Sequence, residues 1–319
     1  MRIVPFDALP PRLEPERAAI EVAAFSSRLP RAAIQRMRRL RYAFSPYVSL
    51  FALDGARLLG GVHVLRLPFG GRHGPMTVSG IGGVTTRADA ARRGVARALL
   101  EEVHRREVDA GSRFAILWTN RSWFAHDLYT ELGYRDVYVP PVAVRVASGR
   151  PSAVPGETLR PARPGELAQL EALHEAFSLG RTGFAPRSAG FLTVERSAGF
   201  LPLGDLYVYR RGRRRVGYAV IARGPAMLRS GELVAPREDL PALLRAIERE
   251  AGARLVVLGQ TPVRDLAPFL RRSGYLVRRD LNWGVLMARP LAERLGEAEL
   301  RRELTVDRSS FLSMTLDAF

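Results

Sequence analysis

The chain of 319 residues contains no cysteine. Disulfides, thiolate metal sites and cysteine nucleophiles are therefore excluded, while the compartment is left open by that absence. Lysine is missing too, since all 49 basic residues are arginine. So uniform a replacement reads as a compositional bias or an adaptation to heat rather than a local device. No apolar run approaches the ~18 residues that a membrane-spanning helix needs. The opening MRIVPFDALPPRLEPE lacks a basic region followed by an apolar stretch, so no signal peptide is expected and the expected location is cytoplasmic. There is no G-x-x-x-x-G-K-[ST], and no G-x-G-x-x-G at a strand-helix junction, which removes the common nucleotide loops. No group of His, Asp and Glu has metal-ligand spacing, so no metal is expected.

What is present suits a globular chain of roughly two domains: 47% hydrophobic and 25% charged residues. The formal charge of +17 would attract an anionic ligand or nucleic acid. The arginines, however, are spread along the chain and often alternate with Glu and Asp. Their densest run, RRGRRR at 210–215, falls where a hairpin turn is expected. Nucleic-acid binding is accordingly the weakest of the functional readings.

Residues 48–67 read as a hairpin about Asp54-Gly55, and 74–86 as a further strand with glycines near its end. From Arg92 the pattern turns helical, with Val95, Ala98, Leu99 and Val103 on one face, and Gly111 closes it. SRFAILWT reads as a buried strand, SWFAHDLYTELG as a helix ended by Gly133, and YRDVYVPPVAVRV as a strand pair. Residues 1–45 add one strand and two helices. GRPSAVPGE, 149–157, has linker composition.

Beyond the linker the pattern repeats. DLYVYRRGRRRVGYAVI parallels the 48–67 hairpin, and REAGARLVVLGQT parallels VDAGSRFAILWTN. Gly111 and Gly133 lie 22 positions apart, and so do Gly252 and Gly274. This is a duplicated unit. The expected division is 1–148 for a first domain, 149–157 for the linker, 158–290 for a second, and 291–319 for a tail returning toward the site. The second copy is shorter: Gly61 to Gly111 spans 50 positions, but Gly217 to Gly252 only 35. The missing stretch is the one holding ARRGVARALL, replaced by VAPREDLPALL, and Leu270 stands where the first copy has Tyr129. Chemistry is therefore expected in the first copy alone.

ARRGVARALL, 91–100, enters a helix directly behind a glycine-rich strand. The first amides of such a helix are unpaired and, with the helix dipole, favour an anion. Gly94 allows close approach of the backbone to phosphate oxygens, Ala96 leaves room, and Arg92, Arg93 and Arg97 supply charge. The alternative is an ordinary basic helix start.

IGGVTTRADAARRGVARALLEEV, followed by LYTELGY, resembles the acetyl-CoA signature of the GNAT acetyltransferase superfamily. The match runs through Arg92, Arg93, Gly94, Val95 and Ala96, then Tyr129 with Gly133-Tyr134; Ala91 departs from the family's Gln or Arg. The tandem arrangement is similar to the enhanced-intracellular-survival group. The resemblance implies two tandem GNAT-like domains of α/β (α+β) class. Each would be a mixed, mostly antiparallel sheet flanked by helices, with the second degenerate.

It also implies an N-acetyltransferase that moves an acetyl group from acetyl-CoA directly to a small primary amine. Val84, Thr85 and Thr86 would hold the pantetheine, chiefly by the backbone of Val84 and Thr86. Residues Arg92, Arg93, Gly94, Val95, Ala96 and Arg97 would hold the pyrophosphate. Tyr129 would be the general acid. Phe319, whose terminal carboxylate acts as base in the survival group, is the base candidate. Asn120 either touches the cofactor or caps the following helix. His126 stands on one helix with Tyr129, His104 and His174 read as surface residues, and His63 and His73 have no evident partner. A non-catalytic acetyl-CoA sensor or scaffold is the rival from another class. No membrane partner is expected, and association into a homo-oligomer is left open.

Overall fold

The computed structural model describes residues 1–25, 47–146, 154–187, 189–199, 201–252 and 254–314. In chain order the first half gives β1 (Arg2–Pro5), α1 (Glu14–Phe25), β2 (Tyr47–Asp54), β3 (Arg57–Gly71), β4 (Gly74–Thr86), α2 (Val95–Asp109), β5 (Phe114–Asn120), α3 (Phe124–Glu131), β6 (Arg135–Tyr138) and β7 (Val142–Val146). The second half gives β8 (Glu157–Pro161), α4 (Leu167–Ser178), β9 (Thr182–Gly183), α5 (Phe191–Ala198), β10 (Leu206–Arg211), β11 (Arg214–Arg223), β12 (Met227–Val234), α6 (Leu240–Ala251), β13 (Leu255–Gly259), α7 (Thr261–Arg272), β14 (Leu276–Arg278) and β15 (Gly284–Pro290). The chain then adds α8 (Glu297–Glu303) and β16 (Phe311–Leu312). The expected second helix of residues 1–45 and most of the 149–157 linker lie outside the described residues.

The strands form two sheets. One runs β1-β2-β3-β4-β5-β15-β6, with β9 and β16 joined at the far end of β3; the other runs β14-β7-β13-β12-β11-β10-β8. Most neighbours are antiparallel, but β4–β5 and β12–β13 are parallel, as a strand-helix-strand crossover requires. On one face of the first sheet α2 packs Val95, Leu99, Leu100 and Val103 against Leu50, Val62, Val64, Ile81 and Leu117. On the opposite face Phe51, Leu53 and Leu65 pack with Phe6, Leu13 and with Ile20 of α1. The tail passes between the halves: Phe311 lies 5.0 Å from the Tyr138 ring, and Leu312 and Met314 enter the second half's core.

Residues 134–146 form two strands interrupted by the prolines, as expected, but the two do not pair with each other. Pro140 and Pro141 supply no amide and restrain the residues before them, so the chain leaves the sheet there. β7 crosses into the second sheet, between β13 and β14. In return β15 enters the first sheet between β5 and β6, pairing Val285 with Thr119, Leu286 with Trp118 and Met287 with Leu117. Each half thus donates a strand to the interior of the other's sheet.

The duplication is visible in contacts as well as in spacing. A Cβ on Gly60 would stand 2.2 Å from the Thr85 carbonyl oxygen, and one on Gly217 would stand 2.3 Å from that of Val234. The counterpart of Gly217 is therefore Gly60 rather than Gly61, a correction of one position set by this close approach of strands.

The reciprocal exchange predicts interdependent halves. Residues 1–148 and 149–319 expressed separately each leave a sheet interrupted, and circular dichroism and size exclusion will show them unfolded or aggregated. Co-expression will restore a single cooperative species.

Candidate active site

The parallel ladder between β4 and β5 stops at Ile81 and Leu117, although β4 continues to Thr86 and β5 to Asn120. Beyond that point the two strands part into a fork. β4 carries a bulge there: its register against β3 shifts between Gly61 and His63, and Gly83 adopts φ +57°. Ile81 and Val84, three positions apart, consequently pack on the same α2 side. The Arg87 amide donates to the Leu59 carbonyl of β3 at 2.8 Å. Two-residue alternation then turns the main chain of Thr86, and of Val84 before it, toward the open edge of the fork. Thr85 behaves differently. Its buried hydroxyl accepts from the Gly61 amide at 3.2 Å, and its main chain, alternating with Val84 and Thr86, faces β3 too, so Thr85 is turned away from the open edge.

Behind the fork lies the start of α2. The residues before it take two left-handed conformations, Arg92 at φ +61° and Gly94 at φ +78°. Gly94 accepts this geometry freely, whereas Arg92 bears a strain of roughly 1 kcal/mol. Ala98 donates to the Gly94 carbonyl at 3.0 Å, but the amides of Gly94, Val95, Ala96 and Arg97 have no acceptor among the described residues. A Cβ on Gly94 would meet nothing within 4 Å. Four free amides, a positive helix end and open space are the features that favour an anion at a helix start.

The three arginines divide. Arg93 stands 3.6 Å from Asp54, and Arg97 is paired with Glu131 of α3. Arg92 is exposed and has no acidic partner among the described residues, so its guanidinium is the one left for a phosphate.

Tyr129 lies on the α2 side of the sheet, in one apolar cluster with Val95, Leu99, Ile81 and Leu117. Its hydroxyl bonds no protein group among the described residues, and burial pushes its pKa up to about 12, which keeps it protonated at neutral pH. The Tyr129 ring rests 5.8 Å from that of Tyr134, edge to face. Asn120 is spent locally: its side-chain carbonyl accepts from the Ser122 amide and hydroxyl at 2.9 and 2.8 Å, in the turn before α3, whose N-cap is Trp123 without a side-chain bond, so Asn120 is not the helix cap. Phe319 lies outside the described residues.

The histidines depart most from the sequence reading. His104 and His174 are buried, not surface residues, because each helix faces a core at that position. Arg289, on the exchanged strand β15, donates to His104 Nδ1 at 2.7 Å. Arginine has no acceptor, so His104 carries its proton on Nε2 and donates it to the Tyr134 oxygen at 2.8 Å. His126 Nε2 lies 2.9 Å from Asp136, turned to that neighbour. His73 stands 3.5 Å from Glu303. His63 has two partners: Nδ1 is 2.7 Å from Ser49 Oγ, and Nε2 is 3.2 Å from Glu21. Hydrophobic periodicity could not show these pairings, since each joins residues distant in sequence. No group of three His, Asp or Glu that would hold a metal is found among the described residues.

The second half lacks each part of the cradle. Leu240 already donates to Pro236 and Ala242 to Asp239, while Pro241 has no amide to offer. Position 232, two before Val234 as Gly83 is two before Thr85, holds a fully buried Glu232, clamped by Arg187 at 2.8 and 3.1 Å and by Tyr218 at 2.7 Å.

Comparison with known proteins fits this geometry. The family model described as Acetyltransferase (GNAT) domain matches residues 14–137. Among solved structures, a GCN5-related N-acetyltransferase from Kribbella flavida aligns at 19% identity and a TM-score of 0.59, over 91% of this chain and 72% of its own. Eis1 from Mycobacterium abscessus aligns at 16% identity and 0.58, over 91% and 74%. A tandem GNAT protein from the clavulanic acid biosynthesis pathway aligns at 16% and 0.52, over 92% and 99%. At these identities the likeness is one of fold. No curated protein sequence matches. No helix among the described residues is long and apolar enough to cross a membrane.

The buried histidines set a pH dependence. Burial, with Arg289 nearby, lowers His104 to about 3, and burial with Arg187 lowers His174 to about 3. Both are neutral when folded, while in the unfolded chain they take up a proton below about 6.5. Stability is therefore full above pH 6.5 and falls as pH drops through 6 and 5, before most carboxylates titrate. Melting temperatures will follow that slope. His104→Gln will melt lower at pH 7.5 but with a shallower fall between pH 6.5 and 5.

Proposed function

We propose, from the match of residues 14–137 to the family model described as Acetyltransferase (GNAT) domain, that the protein is an N-acetyltransferase that moves an acetyl group from acetyl-CoA directly to a small primary amine. The observation that carries this is the set of four unpaired amides at Gly94, Val95, Ala96 and Arg97, opening on empty space beside a forked sheet. The pyrophosphate of coenzyme A fits such a cradle, with Arg92 adding charge. The pantetheine then runs along β4, taking main-chain bonds from Val84 and Thr86, and the thioester reaches the fork beyond Ile81 and Leu117.

The amine attacks the thioester carbon as the carbon–sulfur bond breaks, and the departing sulfur takes its proton from Tyr129. A phenol held protonated in an apolar wall, with no protein acceptor competing for its proton, suits that role. The second domain serves as scaffold. It completes the first sheet through β15, and its own cradle is closed by the bonds of Leu240 and Ala242. In this reading the first domain comprises residues 1–148, the second 158–290, and 291–319 is the tail between them, with the exchange of β7 and β15 joining the two.

Two variants separate an enzyme from a sensor or scaffold of the same fold. Gly94→Glu, which sets bulk and negative charge in the cradle, will weaken coenzyme A binding at least 100-fold by calorimetry while the fold stays intact. Intact binding would remove the cradle assignment. Tyr129→Phe will keep coenzyme A affinity and lower thiol release across an amine panel by about 10²-fold or more. An unchanged rate, or no turnover by the parent chain with any amine, would favour the sensor.

A further inference from the structure

By burial alone the proposed general acid is poorly matched to its task. Burial pushes Tyr129 up to about 12, whereas an ordinary thiol ionises near about 8.5. The phenol gives its proton to sulfur readily only if the phenolate left behind is stabilised. Beside Tyr129 lies a chain of three residues that the cofactor site does not use: Arg289 of β15, His104 of α2, and Tyr134 just before β6.

Every link in it runs in one direction. Arg289 donates to His104 Nδ1 at 2.7 Å, and His104 donates from Nε2 to the Tyr134 oxygen at 2.8 Å. Tyr134 therefore keeps its own hydroxyl proton, which has no acceptor among the described residues. Nor has Arg289 a carboxylate partner among them, so its charge is not cancelled locally. Tyr134 is tied to Tyr129 twice: its amide donates to the Tyr129 carbonyl at 3.0 Å, and the two rings meet edge to face at 5.8 Å. Arg289 lies over the turn between them, its Nε 3.9 Å from where a Cβ on Gly133 would stand. Burial pushes the Tyr134 phenol up, Arg289 pulls it down and Tyr129 pushes it up, so all three are in electrostatic contact. The other ionisable groups of α3 are turned elsewhere: His126 to Asp136, Glu131 to Arg97, and Asp127 to solvent. From α2, β4 and β5 the cluster around Tyr129 receives apolar side chains.

The second copy holds the same frame with the opposite polarity. Arg145 of β7 pairs across the ladder with Val256 as Arg289 pairs with Ala115, and these partners stand four residues beyond the matched Gly252 and Gly111. Tyr275 follows Gly274 as Tyr134 follows Gly133, and its amide donates to the Leu270 carbonyl at 2.9 Å. There, however, a carboxylate joins the arginine to the tyrosine. Arg145 donates to Glu248 at 3.3 Å, and Tyr275 donates to it at 2.7 Å. The charge is cancelled, the hydroxyl proton is spent, and Leu270 stands in the place of Tyr129. A buried tyrosine at this position is thus satisfied by a carboxylate where there is no acid to serve. The imidazole, which leaves both the proton and the charge uncommitted, occurs only in the copy with Tyr129.

We propose that Arg289, His104 and Tyr134 are positioning residues for Tyr129, presenting a polarised hydroxyl proton to its oxygen as the phenol gives up its own. This rests on the acetyltransferase reading above. The amine nitrogen bonds the acetyl carbon, the carbon–sulfur electron pair goes to sulfur, and sulfur takes the Tyr129 proton. Tyr134 then donates to the phenolate oxygen, polarised through His104 by the charge on Arg289. The acylated nitrogen releases its surplus proton to solvent, and Tyr129 takes one back from solvent. Since β15 is the exchanged strand, the second half of the chain acts on the chemistry of the first through these bonds.

Tyr134→Phe keeps the ring contact and removes only the hydroxyl, and Arg289→Met keeps an apolar stem and removes the charge. His104→Leu breaks the chain, whereas the amide of His104→Gln accepts from Arg289 and donates to Tyr134. The Tyr129 ionisation is read without substrate, from the Cζ resonance of isotope-labelled tyrosine that is missing in Tyr129→Phe. Thiol release and melting temperature are followed in parallel. In the parent chain Tyr129 will ionise below the value set by burial alone. Tyr134→Phe, Arg289→Met and His104→Leu will each move that ionisation up and lower kcat about 10-fold at an unchanged KM for acetyl-CoA, and His104→Gln will recover most of what His104→Leu loses. An ionisation that stays in place in folded Tyr134→Phe, or a kcat there equal to the parent's, overturns the chain and leaves the acetyltransferase reading standing. A parent chain that binds coenzyme A yet releases no thiol with any amine overturns that reading and the use of the chain in catalysis with it.

Discussion

The fork between β4 and β5 is the constraint on which the remaining features depend. Two parallel strands left to themselves would continue their ladder, because unpaired buried main-chain groups are costly. Here each leg is held by its outer neighbour instead. β3 pairs with β4 as far as Thr86, and β15 pairs with β5 as far as Asn120. The bulge at Gly83 bends one leg away, and Gly60 lets the strands cross closely enough for that bend. The result is a strand edge with its hydrogen-bonding groups free, at the point where the α2 amides are also free. That pairing of free groups is what the proposed coenzyme A site rests on.

The leg on the β5 side depends on residues from the other half of the chain, which explains why a degenerate copy is retained. Val285, Leu286 and Met287 are almost wholly buried in the first sheet, and Arg289 of the same strand fixes the His104 tautomer and, through it, Tyr134 beneath Tyr129. The second copy has no cradle to protect, and its bulge position is occupied by the Arg187–Glu232 pair. A buried ion pair seldom adds net stability over an apolar one.

Much of this was legible in the sequence because it is local. Helical spacing from Val95, the glycines that close α2 and α3, the Asp54-Gly55 turn and the matched Gly111–Gly133 and Gly252–Gly274 intervals are all set by residues near one another. The expected phosphate-binding stretch is local too: Arg92 to Arg97 run from the residues before α2 into its first turn. The strand exchange was not, since a hairpin and a crossover after Pro140-Pro141 have the same local signature. Nor were the partners of His63 and His104, which arrive from β2, α1, β15 and the residue before β6. Periodicity places a histidine on a helix or strand face, but only the packed fold decides whether that face is covered.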